Sequence, residues 1–555
     1  MILSGADIIV NTLIEQGVDV VFGYPGGQVI NIYDSLYKCR DKITHILTAH
    51  EQGACHGADG YARSSGKVGV VIATSGPGAT NLVTGLATAN MDSIPLIAIT
   101  GNVATTAIGT DSFQEVDITG ITLPVTKHNY FVGCVEELAD TIREAFEIAI
   151  SGRPGPVLID IPKDVQVACC EHIPAEKINA TQKFAAKDIR IKQAADTINA
   201  SKRPFIYYGG GLARSGAQSE MLELSQKIDA PLGCSMMAIS AIPTDTPRFL
   251  GMQGMHGHYG CTTAMHNADC IIALGVRFND RVMGNTEKFA VNAKIVHIDI
   301  DGSELSKNTD DFCGLRGDLK ETLGKLMPLI EESKKPVWEK KVAEYKAEEA
   351  ANADNRQGMT PKNIINTLNA YLGENTPVAT DVGQHQVWTA QYINLKKPNK
   401  FLSSGGLGTM GFGMGAAIGA AIATKEKAVL VTGDGSFGMN CNELATAVRY
   451  NVPLVVLLMN NQSLGMVRQW QTMFFNKNYS ETDLTNGTDF VALAKAFGAN
   501  GERVTDINGL DNALKTAFDY NGTYVIDCVI DKDEFVLPMM PPGGCLDEII
   551  VRKCE

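Results

Sequence analysis

The chain has 555 residues, 45% of them hydrophobic, and a net charge of -14 at pH 7, which is too long for one core and fits about three domains. The acidic balance excludes a surface built to bind nucleic acid. Thirteen cysteines, an odd number that includes adjacent Cys169-Cys170 but no C-x-x-C, fit a reducing cytoplasm better than a disulfide framework or a zinc site and read as core thiols.

Met1-Ile-Leu-Ser-Gly-Ala-Asp enters an amphipathic helix at once. No basic leader, transit peptide or span of about 20 apolar residues is visible, so a cytoplasmic protein with no membrane partner is expected. A short strand, Thr44–Thr48, then leads to His50-Glu51-Gln52-Gly53-Ala54 and a helix of small residues. Glu51 thus stands at a strand-to-helix junction, where a carboxylate commonly just complements the helix dipole. The strand Pro156–Ile161 and Pro162-Lys163-Asp164 close a first domain at 1–165, and a polar, lysine-rich linker at 166–190 follows.

A middle domain at 191–330 shows strands at Pro204–Tyr208, Cys270–Leu274 and Lys294–Ile300, each ending near glycine or an acid, as in a nucleotide-binding sheet. Gly209-Gly210-Gly211, Arg277, Asp299 and Asp301 after these strands are compatible with an extended dinucleotide. The charged stretch at 331–360 reads as a solvated helix between domains.

In the last domain, 361–555, a buried strand Val429–Thr432 ends at Gly433-Asp434-Gly435. Its glycines allow close backbone approach to an anion, and Asp434 is left as a hard oxygen ligand. Asn442–Tyr450 is expected to be helical, with N-terminal amides suited to phosphate. A second apolar run, Pro453–Met459, ends at Asn460-Asn461, so both strand ends lie at the carboxyl edge of a parallel sheet. There Asp434 and Asn461 can share one Mg²⁺ that clamps a diphosphate.

An internal repeat runs through the chain. A shift of 358 positions lays Thr74-Ser75-Gly76-Pro77-Gly78 on Thr432-Gly433-Asp434-Gly435-Ser436, and Pro95-Leu96 on Pro453-Leu454, without a gap. Two copies of one doubly wound α/β domain are expected, only the second carrying the acidic ligand, because Gly76 sits where Asp434 does.

The pairing of GDG with NN resembles the thiamine diphosphate (ThDP) motif. Together with Glu51 in HEQGA, Ser75–Asn81, Gly383-Gln384-His385-Gln386 (read as a loop) and Gly405–Gly413, it makes nearly the whole chain resemble the ThDP-dependent acetolactate synthase family, in its FAD-containing biosynthetic branch. The resemblance implies three doubly wound parallel-sheet domains, two ThDP-binding-like ones flanking a nucleotide-binding-like one. It implies decarboxylation of pyruvate and ligation of the remaining two-carbon unit to pyruvate or 2-ketobutyrate, the first common step of branched-chain amino acid biosynthesis.

The same resemblance assigns roles. Glu51 would hydrogen-bond N1′ of the aminopyrimidine, where the chemistry needs a carboxylate. Met410 would enforce the bent cofactor. Phe113 and Gln114, in the run Gly109–Glu115, would face the ThDP of a partner subunit, and Lys163 would belong to the active site. Arg281 would bind the acceptor carboxylate through its guanidinium fork, and Trp470 would wall the acceptor's methyl group. Gly383, Gln384, His385, Gly408, Gly433, Gly435 and Ser436 would contact ThDP, with Asp434, Asn461 and Ser463 on Mg²⁺. Arg153, Gly209, Gly210, Gly254, Met255, His256, Gly257, Arg277, Asp299 and Asp318 would hold a flavin that is structural, since the reaction transfers no net electrons. A homodimer or dimer of dimers and a separate regulatory small subunit are the implied partners.

Two other classes compete. A pyruvate oxidase-type flavoenzyme shares the domain plan but needs no second keto-acid pocket, so Lys163, Arg281 and Trp470 argue against it. Gly406-Leu407-Gly408-Thr409-Met410-Gly411 is a literal G-x-G-x-x-G, yet it has no clear preceding strand, and glycines that continue to Gly419 suit a packed helix better than an NAD site.

Overall fold

The computed structural model describes residues 1–179, 183–485 and 487–552; positions 180–182 of the expected linker lie outside the described residues. Three six-stranded sheets carry the described fold, and every strand pairing within them is parallel. Helices cover both faces, which is why strands such as Leu454–Asn460 (LVVLLMN) are buried along their whole length.

The first sheet runs in the order 44–47, 20–23, 69–73, 96–102, 156–162, 128–131. The third runs 401–402, 378–380, 428–433, 454–460, 523–529, 500–504, the same topology strand for strand. Leu96–Asn102 and Leu454–Asn460 still stand at the 358-residue offset read from the sequence. The repeat is therefore a duplicated doubly wound domain, and the fold is three α/β units.

The middle sheet is ordered 249–252, 232–234, 204–208, 270–274, 294–299, 313–316. The strand order reverses between Pro204–Tyr208 and Cys270–Leu274, and such a switch point opens a crevice at the strand carboxyl ends. In the third sheet the corresponding point lies between Val378–Thr380 and Ala428–Gly433.

Several expectations need correction. The helix after Gly433 begins at once, at Asp434–Asn440, and residues 442–450 hold only the end of a 3-10 turn and a short helix, Leu444–Arg449. The amides that follow the strand end at Gly433 are thus those of Asp434 and its neighbours; glycine-rich GDGSFG has poor helix propensity, which tertiary context overrides. Gly383–Gln386 is not a loop but the start of the helix Gln384–Tyr392. The charged stretch forms the helix Pro336–Asn352, which is not solvated all round. Trp338, Val342 and Tyr345 recur at i, i+4 and i+7 and are buried, and the Trp338 indole donates to the Pro204 carbonyl at 3.0 Å. Part of the expected linker is ordered, since Cys169–Glu171 pairs antiparallel with Ile2–Ser4. Of the described cysteines, Cys169 is exposed and Cys39, Cys134, Cys170 and Cys441 are half-buried; the others are core thiols as expected.

The glycines after Met410 belong to a packed helix, Phe412–Thr424, lying against Glu51–Ser65. A Cβ on Gly419 would fall 2.0 Å from the Gly57 carbonyl oxygen and one on Gly60 2.2 Å from that of Ala416, so only glycine admits this approach. The strand ahead of the G-x-G-x-x-G run is the two-residue edge Phe401–Leu402. Among the described residues no helix is long and apolar enough to cross a membrane.

Candidate active site

At the switch point of the third sheet a small cavity is lined by Gly383, Gln384, His385, Met410, Gly433, Asp434, Gly435, Ser436, Asn461 and Ser463, among others. Residues separated by up to 80 positions in the sequence converge there because the helix Gln384–Tyr392 and the helix Asp434–Asn440 both start at the carboxyl edge of neighbouring strands. Burial raises the Asp434 carboxyl to about 6, opposed by the amides of Asp434, Gly435 and Ser463. Asn461 donates its amide to Gln384 Oε1 at 3.2 Å, and its own Oδ1 accepts the Ser463 N–H at 3.1 Å. A carboxylate, an amide oxygen and adjacent backbone form a hard-oxygen donor set. Among the described residues no cluster of three His, Cys, Asp or Glu offers a softer site.

His385 is buried, kept neutral by desolvation that lowers it to about 3, and its Nε2 has no partner. A Cβ on Gly433 would lie 2.7 Å from His385 Nδ1. An unsatisfied imidazole beside the glycine-framed amides is what an anionic oxygen would complete, so this cradle fits the diphosphate of ThDP. The Ser463 hydroxyl faces elsewhere, donating to the Thr482 carbonyl at 2.8 Å.

The Met410 side chain also enters this cavity, and a Cβ built on Gly435 would come 4.0 Å from its Cε. Its backbone is held by Asp381, which the sequence reading does not single out. The fully buried Asp381 carboxylate accepts the Gly411 N–H at 2.8 Å and a hydrogen bond from Ser436. An aspartate just after a strand is so common at turns that its spacing carries no signal.

A larger cavity of about 550 Å³ opens at the middle sheet's switch point, between segments of all three units. It is lined by Arg153, Gly209, Gly210, Met255, His256, Arg277, Asp299, Asp318, Arg281 and Gly408, so Gly408 belongs here and not to the Asp434 cavity. Gly254 and Gly257 stand behind the lining; Gly254 has φ +118°, and a Cβ there would lie 2.6 Å from the Arg281 carbonyl oxygen. Arg153 pairs through one guanidinium nitrogen with Glu304 at 2.9 Å and Asp301 at 3.4 Å. Arg277 donates to the Met91 carbonyl, Asp318 caps the helix Leu319–Leu326, and Asp299 Oδ1 accepts the Asp301 N–H. Gln253, missed from the sequence, lines the cavity with neither end of its buried amide partnered, and Tyr207 and His256 also present unpartnered polar atoms. Such orphans fit a large ligand with several polar edges.

Arg281 and Trp470 meet: the guanidinium carbon is 6.0 Å from the ring centroid, and Arg281 also reaches the Met255 sulfur at 3.4 Å. The Trp470 indole N–H has no partner. By contrast Glu51, Phe113, Gln114 and Lys163 line neither cavity. Glu51 opens the helix Glu51–Ser65, half-buried, and accepts from Asn81 at 3.0 Å. Gln114, at φ +61°, packs over Gly76, and Phe113 beside it is 84% exposed. Lys163 opens the short helix Lys163–Val167. Within one chain these four residues stand apart from both cavities.

Two copies of one α/β unit around a dinucleotide-type sheet, with an Asp–Asn cradle beside an orphaned histidine, define a cofactor-dependent enzyme of the ThDP-binding type. Models of the thiamine pyrophosphate enzymes match in all three parts: the N-terminal TPP binding domain over residues 3–121, the central domain over 191–326 and the C-terminal TPP binding domain over 381–528. The chain is 44% identical over 566 residues to the probable acetolactate synthase large subunit of Methanocaldococcus jannaschii, covering 99% of this chain and 95% of that protein. It is 42% identical over 552 residues to acetolactate synthase isozyme 2 large subunit of Escherichia coli, covering 99% and 100%, and 41% identical over 572 residues to isozyme 3 large subunit, covering 100% and 99%. The chain belongs to the thiamine pyrophosphate enzyme family, among the acetolactate synthase large subunits.

Proposed function

We propose that the protein joins pyruvate, with loss of CO₂, to pyruvate or 2-ketobutyrate, giving 2-acetolactate or 2-aceto-2-hydroxybutyrate on the route to branched-chain amino acids in the cytoplasm. The observation that carries this reading is the meeting of Arg281 with Trp470 beside Met255, because a guanidinium and an apolar wall together suit a second 2-keto acid, which oxidation does not need. ThDP, when bound, supplies the electron sink for decarboxylation. Asp434 and Asn461, with the backbone of Ser463, would hold Mg²⁺, and His385 and the amides at Gly433–Ser436 would hold the diphosphate.

Met410 would set the cofactor's bend, with Asp381 fixing the Met410 backbone. Glu51 would hold the proton at N1′ of the pyrimidine, and Phe113, Gln114 and Lys163 would cover the reacting atoms. Because these four do not line the Asp434 cavity of their own chain, we infer that each site combines them from one chain with the cradle of another, in a homodimer or dimer of dimers. FAD would occupy the large cavity without redox work, against Gln253, Met255 and His256. The relatives are named large subunits, which supports a separate regulatory small subunit here. The units would run 1–165, 191–330 and 361–555.

The test is purified protein with pyruvate, ThDP and Mg²⁺ under air and under nitrogen. Acetolactate formed equally in both is expected; oxygen-dependent acetate or acetyl phosphate would move the protein to the oxidase class.

A further inference from the structure

Between the Asp434 cradle and the C-terminal segment lies a file of buried amides: Asn461, Gln384 and Gln469 are 7%, 4% and 1% exposed. Each amide could lie either way round on its own, yet here its hydrogen-bond partners decide all three. Val536 presents both a donor and an acceptor to Gln469: its N–H donates to Gln469 Oε1 at 2.8 Å, and its carbonyl accepts from Gln469 Nε2 at 3.0 Å. Gln469 Oε1 is thereby turned toward Gln384, whose Nε2 donates to it at 2.9 Å and to the Glu534 carbonyl at 2.8 Å. Both N–H groups of Gln384 are used, so its Oε1 faces Asn461 and accepts Asn461 Nδ2 at 3.2 Å. Asn461 then has only one orientation, with Oδ1 on the side of Ser463 and Asp434.

Gly465 supports the same reading independently. A Cβ there would fall 2.0 Å from Gln384 Oε1 and 2.5 Å from Asn461 Nδ2, so the file passes directly over a position that must lack a side chain.

We infer that Gln469 is a positioning residue for the cation: acting through Gln384, it holds the Asn461 amide with its oxygen toward the Asp434 site. The inference rests on the proposed Mg²⁺ role of Asp434 and Asn461. Reversal of Asn461 would present an N–H to a cation, and partners one step removed from a metal carry affinity in this way. Gln469 adjoins Trp470, so the same side chain also ties the helix Gly465–Phe474 to the segment around Val536.

The experiment is calorimetric titration of Mg²⁺ into cofactor-stripped enzyme holding a fixed excess of ThDP, with melting temperature recorded alongside. Gln469→Met is expected to weaken Mg²⁺ binding about 10-fold, and Gln384→Met/Gln469→Met no more than either single change. In an Asn461→Asp background, where the two side-chain oxygens are equivalent and no orientation needs holding, Gln469→Met should not weaken binding further. Unchanged Mg²⁺ affinity with only a lower melting temperature would overturn the inference, as would an equal loss in the Asn461→Asp background. If Gln469→Met does not fold, Gln469→Glu keeps the acceptor that Gln384 needs and should retain most of the affinity; loss there counts against the relay. Asp434→Ala separates the two levels: if it leaves Mg²⁺ affinity intact, the metal site itself is misassigned, whereas its loss beside an unaffected Gln469→Met rejects the relay alone.

Discussion

The guanidinium carbon of Arg281 lies 6.0 Å from the Trp470 ring centroid, although one residue follows a strand of the middle sheet and the other sits on a helix of the third. That separation is at the outer edge of cation–π range, and the Arg281 side chain is 57% exposed. The pair therefore adds little stability of its own.

Arg281→Ala is expected to leave pyruvate decarboxylation near its normal rate and to slow ligation about 10- to 100-fold, since a lost charged hydrogen bond costs about 1.5–3 kcal/mol. The two-carbon unit should then leave as acetaldehyde. Product analysis by gas chromatography checks this, and no rise in acetaldehyde would count against the assigned role.

Glu51→Gln keeps the shape of the side chain and removes its acid–base chemistry. Turnover should fall about 100-fold or more with ThDP binding retained by calorimetry. Near-normal turnover would refute the assignment.

Glu51 lies outside the Asp434 cavity of its own chain, so inactive chains should rescue one another. Co-expressed Glu51→Gln and Asp434→Ala chains are expected to regain about a quarter of normal activity, because half of randomly paired dimers carry one intact composite site of two. No rescue from dimers shown to be mixed would place Glu51 and Asp434 in one chain's site.

Mg²⁺ binding should depend on pH through Asp434. Its carboxyl, raised by burial to about 6, is protonated below that pH in the metal-free protein, and a cation must displace the proton. Apparent Mg²⁺ affinity should fall about 10-fold per pH unit below 6 and level off above 7. For metal-free stability the sign is opposite: a raised folded value favours the native state at low pH, and this contribution is lost between the ordinary carboxylate range and 6. Calorimetric titrations between pH 5 and 8 would show a flat profile if Asp434 were not a ligand.

Legibility in the sequence followed physical scale. Cys270–Leu274 and Pro204–Tyr208 were readable to the residue because strands buried on both faces are continuous apolar runs. The site's outline was readable because glycines and an aspartate cluster at strand ends. Asp434–Asn440 was not, since a helix so rich in glycine, serine and asparagine forms only where the surrounding sheet imposes it. The buried stripe Trp338, Val342, Tyr345 was masked by its Lys and Glu neighbours. Gln469 and Gln253 carried no signal, because a lone amide's role depends on what it faces, and the Val536 backbone that Gln469 faces is 67 positions away.

The most direct measurement is the product ratio when pyruvate and 2-ketobutyrate compete at equal concentration, compared between the native enzyme and Trp470→Leu. The native enzyme should favour 2-aceto-2-hydroxybutyrate by the amount one methyl contact carries, about 1–3 kcal/mol, and Trp470→Leu should shift the ratio toward 2-acetolactate with pyruvate consumption maintained. An identical ratio in both proteins would contradict the acceptor pocket, and with it the assignment of Arg281 and Trp470 to a carboligase site.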